Sequence, residues 1–240
     1  MTQSMTPSDL EAMQAIHWFH RIQLNETTIT PGVCPHTAAE ATERFGLPED
    51  LSGKTVLDIG AWDGLFSFEA ERRGAEVTAM DTSPLKGGHW GGTKGFEFAR
   101  RQLGSRVKFK AGSVHELDPA IHGRFDYVFF FGVLYHLTDP MDALRRVAAV
   151  TKECCLIETA FSSHPDGLSR ALWELCPGFD YDPSNYWYPT LAGLAAMLRL
   201  VGFEEANLLF TMDRRMTVRA LPPRGGVRWQ GDPRLSFQAV

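Results

Sequence analysis

The length, composition and charge of the chain are those of an ordinary globular protein. It has 240 residues, of which 44% are hydrophobic and 22% are charged, and its formal net charge is −5. This composition excludes disordered and collagen-like chains, and the length predicts one large domain. No apolar run approaches the roughly 18 residues that span a bilayer. Because the N-terminus also lacks the basic and apolar regions of a signal peptide, we expect a cytoplasmic protein with no membrane contact.

The charge is unevenly distributed along the chain. Residues 211–240 hold six Arg and two Asp, a net charge of +4, whereas the first 210 residues hold 18 cationic and 27 anionic residues, a net charge of −9. An acidic body argues against broad binding to a phosphate backbone. We therefore expect a small-molecule partner and no nucleic acid.

The residues that could bind a metal do not form a recognisable pattern. The four cysteines include no CxxC pair, so neither a disulfide scaffold nor a structural zinc site is predicted. Asp126 begins a predicted strand, whereas Asp139 and Asp142 follow it, so the three carboxylates fall at opposite ends of that strand. An oxygen cage for Mg²⁺ needs its ligands together. We therefore predict no catalytic metal.

The predicted elements begin with a helical cap over residues 1–50. A helix is predicted over residues 7–20, a loop over 25–36 and a second helix over 37–46, on the basis of apolar spacing and turn residues. Beyond the cap, strands are predicted over 55–59, 76–80, 106–110, 125–131, 154–159, 203–211 and 215–220. The helices predicted between them cover residues 64–73, 93–104, 141–150 and 191–202.

This alternation predicts an α/β fold. Strands that alternate with helices indicate βαβ units and a parallel sheet, and the last two strands form a hairpin around Asp213-Arg214. We expect a Rossmann-like, doubly wound, mostly parallel seven-stranded sheet over residues 51–221, followed by a tail over 222–240. In such folds ligands bind outside the carboxyl ends of the strands.

The most informative local feature is the turn after the first strand. Asp58 lies near the end of that strand, Gly60 and Gly64 open the turn into a helix, and Asp81 ends the second strand. An acid at the end of the second strand suits hydrogen bonding to ribose hydroxyls. A simple strand–helix turn without a ligand is the alternative.

The nucleotide at this turn is not predicted to carry a pyrophosphate. Trp62 stands where the dinucleotide fingerprint needs a glycine for close approach of the backbone, which disfavours an NAD-dependent oxidoreductase. Asp58, two residues before the first glycine, suits a cationic ligand with an amino group. S-adenosyl-L-methionine (SAM) fits, because it has a sulfonium, an amino acid end and a ribose but no phosphate.

The pattern Asp-x-Gly-x-x-x-Gly followed by Asp81 resembles the class I SAM-dependent methyltransferases. The resemblance implies that the Gly60 backbone lies against the methionine part of SAM, that Asp81 binds the ribose, and that Ser113-Val114 lies beside the adenine. The family usually has glycine where this chain has Trp62. The predicted cofactor-binding residues are Asp58, Gly60, Ala61, Trp62, Gly64, Asp81, Thr82, Ser113, Val114, Phe131 and Gly132.

Three further segments resemble the family of the tRNA wobble-uridine carboxymethyltransferase, over roughly residues 17–205. They are Trp18-Phe19-His20-x-Ile22 with Thr30-Pro31-Gly32, Gly132-Val133-Leu134-Tyr135-His136, and Asn185-Tyr186-Trp187-Tyr188-Pro189-Thr190. That family uses carboxy-SAM, and Tyr135 matches its carboxylate-contacting tyrosine. The family also draws a lysine from a longer N-terminus, whereas Arg21 and Arg44 are the only Lys or Arg residues before residue 53.

These similarities and differences predict a methyltransferase that keeps the scaffold and uses ordinary SAM on O, N or C of a small molecule. Two alternatives stay open. One is a tRNA carboxymethyltransferase that uses carboxy-SAM, and the other is a SAM-binding module without catalysis. A homodimer is expected only because such dimers are common.

The acceptor side contributes the candidate catalytic residues. His136 follows the fourth strand and is the first candidate for a general base, which is needed only if the nucleophile loses a proton. Tyr135 is the second candidate and would orient the methionine end of SAM or the acceptor. A hydrogen-bonded structural histidine and a core tyrosine are the alternatives.

The predicted substrate-binding residues come from three segments. The first is the predicted N-terminal helix, which could close over the site as a lid. The second is the loop after the fifth predicted strand, which carries His164. The third is the late aromatic segment, which suits a planar or partly apolar acceptor. Structural roles, or exposure to solvent, are the alternatives for all of them. The residues are His17, Trp18, His20, His164, Asn185, Tyr186 and Trp187.

Overall fold

The computed structural model of the chain describes residues 5–82, 93–167, 169–178 and 182–223. The glycine-rich stretch at 86–92 and the predicted tail from residue 224 onwards lie outside the described residues. Among the described residues, none of the helices combines the length and the apolar character that spanning a bilayer requires.

The described residues form seven α-helices and nine strands. The helices are α1 Pro7–Gln14, α2 Ala38–Arg44, α3 Leu65–Arg72, α4 Lys94–Leu103, α5 Pro119–His122, α6 Pro140–Val150 and α7 Leu191–Leu200. The strands are β1 Thr55–Ile59, β2 Glu76–Asp81, β3 Lys108–Ala111, β4 Phe125–Phe131, β5 Thr151–Ala160, β6 Trp173–Leu175, β7 Trp187–Pro189, β8 Glu205–Met212 and β9 Arg215–Leu221. Two 3₁₀ turns, Val114–Glu116 and Leu134–His136, follow β3 and β4.

Seven of the strands form one mixed sheet in the order β3-β2-β1-β4-β5-β9-β8. The pairs β1–β2, β2–β3 and β4–β5 are parallel, whereas β5–β9 and β9–β8 are antiparallel. The predicted seven-stranded, mostly parallel Rossmann-like sheet is confirmed. The other two strands, β6 and β7, pair with each other in a separate hairpin.

The chain divides into two compact units, which are described separately below. Among the described residues, unit 1 comprises 5–43, 47–82 and 93–113, and unit 2 comprises 44–46 and those from 114 to 223. The domain boundaries predicted at residues 50 and 221 stay predictions.

The N-terminal helix of unit 1 is shorter than predicted. It begins with Thr6 as N-cap and ends at Gln14, so the prediction of a helix to residue 20 is wrong. The indole N–H of Trp18, a buried residue, donates to the Met13 carbonyl at 2.9 Å. Because this side-chain bond uses a carbonyl of the last helical turn, the chain leaves the helix before the aromatic residues at 17–20.

Unit 2 contains a long apolar strand and the closing hairpin. The last four residues of β4, Val128 to Phe131, are buried, as expected for a strand covered on both faces. Asp213 and Arg214 connect β8 to β9 with φ of 46° and 65°, so the predicted hairpin is confirmed. The β6–β7 hairpin was not predicted, because strands of three residues are too short to show an alternating pattern.

Candidate active site

The backbone of the first turn in unit 1 is tied to the end of β2. The amides of Gly60 and Ala61 both donate to the Met80 carbonyl, at 2.8 and 3.2 Å. The next amide, that of Trp62, donates to Oδ2 of Asp81 at 2.8 Å. These bonds hold the Asp81 carboxylate against the turn that contains Gly60, the residue predicted to lie against the methionine end of SAM.

Three residues of this turn have left-handed backbone conformations. Gly60 and Gly64 have φ of 75° and 92°, and Trp62 has φ of 52°, which is uncommon for a residue with a side chain. The Trp62 ring stacks on Phe19, with centroids 4.7 Å apart and planes at 15°. This stacking supports a conformation that glycine would adopt at lower cost.

Asp58 is a buried carboxylate. Only 2% of the residue is exposed, and its Oδ2 accepts a hydrogen bond from the Ser67 hydroxyl at 2.6 Å. The pKa of Asp58 is raised to about 6, chiefly by burial and in part by the nearby charge of Asp81, while Ser67 and His20 oppose the shift. A cation placed beside this carboxylate would therefore be stabilised.

The sequence analysis did not identify Asp63, whose carboxylate holds the backbone of residues 19 and 20. This buried carboxylate accepts the amides of Phe19 and His20 through Oδ2, at 3.1 and 2.8 Å. Its Oδ1 lies 2.5 Å from Nδ1 of His20. A carboxylate directly before the second glycine was the available signal, but its partners lie more than 40 residues earlier in the chain.

The remaining predicted residues of unit 1 differ in exposure. His17 is exposed, whereas Trp18 is buried and meets Phe98 edge-on at 5.9 Å. Thr82 and Ser113 are half-buried. The predicted roles of these residues in binding the cofactor or the acceptor stay predictions. The burial of Trp18 is explained by its packing contacts.

Unit 2 contains a cluster formed by Tyr135, Glu158 and Arg215. The Arg215 guanidinium binds Glu158 through two hydrogen bonds, Nε to Oε1 at 2.5 Å and Nη2 to Oε2 at 2.7 Å. The guanidinium carbon lies 4.5 Å from the centre of the Tyr135 ring. Burial raises the pKa of Tyr135, while the charge of Arg215 opposes the shift. Sequence reasoning found Tyr135 but missed Glu158 and Arg215.

His136 lies beside this cluster and is held by a loop of the same unit. Its Nδ1 lies 3.1 Å from the Ser184 carbonyl and 3.0 Å from the Ser184 hydroxyl. The Ser184 hydroxyl donates to Oδ1 of Asp182 at 2.6 Å. Burial lowers the pKa of His136 although Ser184 and Asp182 oppose the shift, which favours the neutral imidazole.

The late aromatic segment is also attached to the turn that carries Tyr135. The Tyr186 amide donates to the Tyr135 carbonyl at 2.8 Å, and Asn185 is buried. Trp187 begins β7 and meets Trp173 of β6 at 6.4 Å. The segment is therefore partly a strand.

The four remaining predicted site residues of unit 2 are Val114, Phe131, Gly132 and His164. His164 is exposed, and its Nδ1 accepts the Asp166 amide at 3.1 Å. Val114 and Phe131 are buried, and Gly132 has φ of 69°. Their predicted roles stay predictions.

The carboxylates at the first turn suit SAM better than a metal ion or a phosphate. In the described part of the chain, no group of three or more His, Cys, Asp or Glu side chains is arranged to hold a metal ion; the expected absence of a metal stays a prediction. The first turn places Asp58 close enough to Asp81 for their charges to interact. Negative potential of this kind favours a sulfonium and an ammonium and disfavours a pyrophosphate.

Comparisons with known proteins agree with this chemistry. The tRNA U34 carboxymethyltransferase of Aliarcobacter butzleri is 30% identical over 169 residues, which cover 68% of this chain and 51% of that protein. The ubiquinone biosynthesis O-methyltransferase of Xanthomonas euvesicatoria is 33% identical over 103 residues, 43% of this chain and 41% of that protein. The chain therefore matches about half or less of the length of these relatives.

Solved structures share the fold. The N-terminal domain of EvdMO1, determined in the presence of S-adenosylhomocysteine and D-fucose, has a TM-score of 0.67 at 21% identity and covers 90% of this chain and 96% of that one. Magnesium protoporphyrin IX methyltransferase from Synechocystis, with bound S-adenosylhomocysteine, has a TM-score of 0.57 at 18% identity, covering 78% of this chain and 82% of that one.

The family profile described as "Methyltransferase domain" matches residues 34–207, which is most of the chain. That span includes the first turn, Asp81 and the Tyr135–Glu158 part of the second cluster. The chain therefore belongs to the SAM-dependent methyltransferase family.

Proposed function

We propose that this chain transfers a methyl group from SAM to a small-molecule acceptor. The observation that supports the proposal most strongly is the carboxylate pair at the first turn. Asp58 is buried with its pKa raised to about 6, and the charge of Asp81 contributes to that shift. A ligand with a sulfonium and an ammonium would relieve this unfavourable burial of negative charge.

Particular residues of unit 1 would hold the cofactor. Asp81 would bind the ribose hydroxyls while its carboxylate stays fixed by the Trp62 amide. The Gly60 and Ala61 backbone would line the methionine end. When bound, SAM supplies a methyl group already activated by the positive charge on sulfur. Much of the catalysis can then come from alignment of the acceptor and exclusion of water.

The cluster in unit 2 supports ordinary SAM as the donor. Tyr135 matches the tyrosine that contacts the extra carboxylate in the carboxy-SAM family. In this chain the Arg215 guanidinium beside it is already occupied by both oxygens of Glu158. A second carboxylate there would meet the charge of Glu158, and like charges held close together are unfavourable.

The second candidate function is carboxymethylation of tRNA with carboxy-SAM. The 30% identity to the tRNA U34 carboxymethyltransferase and the presence of Tyr135 favour it. The net charge of −9 over the first 210 residues opposes it. A SAM-binding module without catalysis is the third candidate, and a test of turnover separates it from the other two.

Titration calorimetry with SAM and with carboxy-SAM, followed by turnover assays, tests these alternatives. We expect SAM to bind more tightly. S-adenosylhomocysteine should form with a member of a panel of hydroxylated small molecules, chosen because one relative is an O-methyltransferase and one neighbour was studied with D-fucose. Carboxymethyl transfer to tRNA would contradict the proposal, and tight SAM binding without turnover would favour the module.

A matched pair of variants links the binding to the first turn. Asp81→Asn keeps an oxygen for the Trp62 amide but loses the charge, so the Kd for SAM should rise about tenfold or more. Glu76→Gln lies at the exposed start of the same strand and should leave the Kd unchanged. Equal affinities in the two variants would contradict the assignment of Asp81.

A further inference from the structure

We propose that Ser184 and Asp182 are positioning residues that hold His136 as the tautomer protonated on Nδ1, so that Nε2 accepts the proton of a protic acceptor. The inference rests on the proposed function and narrows it. The acceptor would carry an O–H or N–H bond that has to break during methyl transfer.

The hydrogen-bond directions at Ser184 determine the tautomer. The Ser184 carbonyl oxygen, 3.1 Å from His136 Nδ1, can only accept. The Ser184 hydroxyl, 3.0 Å from the same nitrogen, uses its own hydrogen for the 2.6 Å bond to Asp182 Oδ1. Both oxygens at Nδ1 therefore act as acceptors, so Nδ1 carries the hydrogen and the lone pair of a neutral imidazole lies on Nε2.

Backbone bonds keep the loop and the imidazole together. The Ser184 amide donates to Asp182 Oδ1 at 2.9 Å, and the Asn185 amide donates to the Asp182 carbonyl at 3.1 Å. The Tyr186 amide then reaches the Tyr135 carbonyl at 2.8 Å. The loop is thus anchored to the residue immediately before His136, which limits how far Ser184 can move from Nδ1.

The charges around the imidazole suit a base that is neutral before the reaction. Burial and the positive charge of Arg215 lower the pKa of His136, whereas Ser184, Asp182 and Glu158 oppose the shift. The Tyr135 ring packs against the imidazole, with centroids 4.0 Å apart. When Nε2 takes a proton, Asp182 stabilises the imidazolium through the Ser184 hydroxyl, as the third group of a catalytic triad does.

The proton and electrons balance in this step. The acceptor's O–H or N–H bond breaks and its proton goes to His136 Nε2. The electron pair of the acceptor atom forms the new bond to the methyl carbon, and the pair of the breaking carbon–sulfur bond stays on sulfur as a neutral thioether. The proton on His136 then passes to solvent, which restores the base.

The tautomer can be measured without turnover. In the full chain labelled with ¹⁵N-histidine, NMR should show His136 with Nδ1 protonated at neutral pH. Asp182→Asn and Ser184→Ala should lower the pKa of His136, because the imidazolium loses its link to a carboxylate. Ser184→Thr keeps the hydroxyl and should restore the wild-type pKa, and Ser169→Ala, in an exposed loop of the same unit, serves as the control.

Activity supplies the second readout. The acidic limb of the kcat–pH profile should move to lower pH in Asp182→Asn, and His136→Ala should lower kcat about 100-fold. Protonation on Nε2 in the wild type, or an unchanged His136 pKa in both Asp182→Asn and Ser184→Ala, would overturn the positioning role. A correct tautomer combined with an unaltered kcat in His136→Ala would overturn the base role. A correct tautomer without turnover on any acceptor would overturn the proposed function instead.

Discussion

Arg215 and Glu158 form a two-bond ion pair across adjacent antiparallel strands. Arg215 lies opposite Ala160 and Glu158 lies opposite Thr217, so the two are diagonal neighbours on one face of the sheet, within reach of long side chains. The pair raises the pKa of Arg215 although its burial opposes the shift. The guanidinium thus stays charged, and its charge is balanced by Glu158.

Glu158→Gln should shift the cofactor preference of the protein. The substitution removes the charge that occupies Arg215, so the affinity for carboxy-SAM should rise relative to that for SAM. The free energy of unfolding should fall by about 2 kcal/mol, because Arg215 is partly buried and loses its counter-ion. Calorimetry and urea unfolding measure the two effects, with the exposed Glu153→Gln on the same strand as the control. An unchanged ratio of the two affinities would show that Glu158 does not determine which cofactor is preferred.

Asp58 predicts a pH dependence of stability. Its pKa is about 6 in the folded chain against an ordinary value of 3.8, so the folded state binds the proton more tightly than the unfolded state. The resulting stability is present below pH 3.8 and is lost as the pH rises through 6. Asp58→Asn should therefore be more stable than the wild type at pH 8, by about 3 kcal/mol, and should show no such gain at pH 4. Urea unfolding at the two pH values checks this; a gain that is equal at both would contradict it.

The same carboxylate predicts a pH dependence of binding. A cationic ligand beside Asp58 favours its ionised form, so the affinity for SAM should fall as the pH drops below 6. The dependence should disappear in Asp58→Asn, whose affinity should be lower at pH 8. Calorimetry between pH 5 and pH 8 measures it. A flat profile in the wild type would show that Asp58 does not face the charge of the ligand.

Gly64 and Gly53 offer a matched test of packing at the first turn. Both have positive φ, of 92° and 71°, but a Cβ at Gly64 would lie 2.5 Å from Phe68 Cε2 and 2.7 Å from Phe96 Cδ2, whereas one at Gly53 meets nothing within 4 Å. Gly53→Ala should cost about 1 kcal/mol from backbone strain alone. Gly64→Ala should cost at least about 2 kcal/mol more, because the rings must move. Equal losses in urea unfolding would contradict this packing.

Asp63 predicts how firmly the Trp18–His20 segment is attached within unit 1. Asp63→Ala leaves the Phe19 and His20 amides without their acceptor, which should lower the free energy of unfolding by about 3 kcal/mol. It should also speed proteolytic cleavage near His20 while the rest of the chain stays folded. Glu49→Ala, at an exposed position, is the control. Unchanged cleavage would show that other contacts hold the segment.

Local patterns predicted the sheet and the first turn correctly, because strands, glycines and an acid at a strand end follow from a few neighbouring residues. Asp58, Gly60 and Asp81 were placed at this turn in the same way, and their roles in binding the cofactor stay predictions. Glu158 and Arg215 were missed because their contact depends on the register of β5 against β9, 57 residues apart, which no local pattern gives. For Arg215 the sequence indicated only the start of the last predicted strand, with no partner for its side chain.

For the N-terminal helix, the local pattern predicted a longer element than the structure has. Apolar spacing continued through residue 20, so the helical pattern was extended too far. Trp18 and Asp63 ended it, because the indole N–H takes a carbonyl of the last turn and the carboxylate takes the amides of residues 19 and 20. A local side-chain bond and contacts with a turn more than 40 residues away thus hold residues 18–20 outside the helix.

Native mass spectrometry of the purified chain, followed by release of any small ligand under denaturing conditions, identifies the cofactor that the chain binds. We expect SAM or S-adenosylhomocysteine, or, if the chain is purified empty, binding of added SAM in preference to added carboxy-SAM. Release of carboxy-SAM, or binding of neither compound on addition, would contradict this expectation.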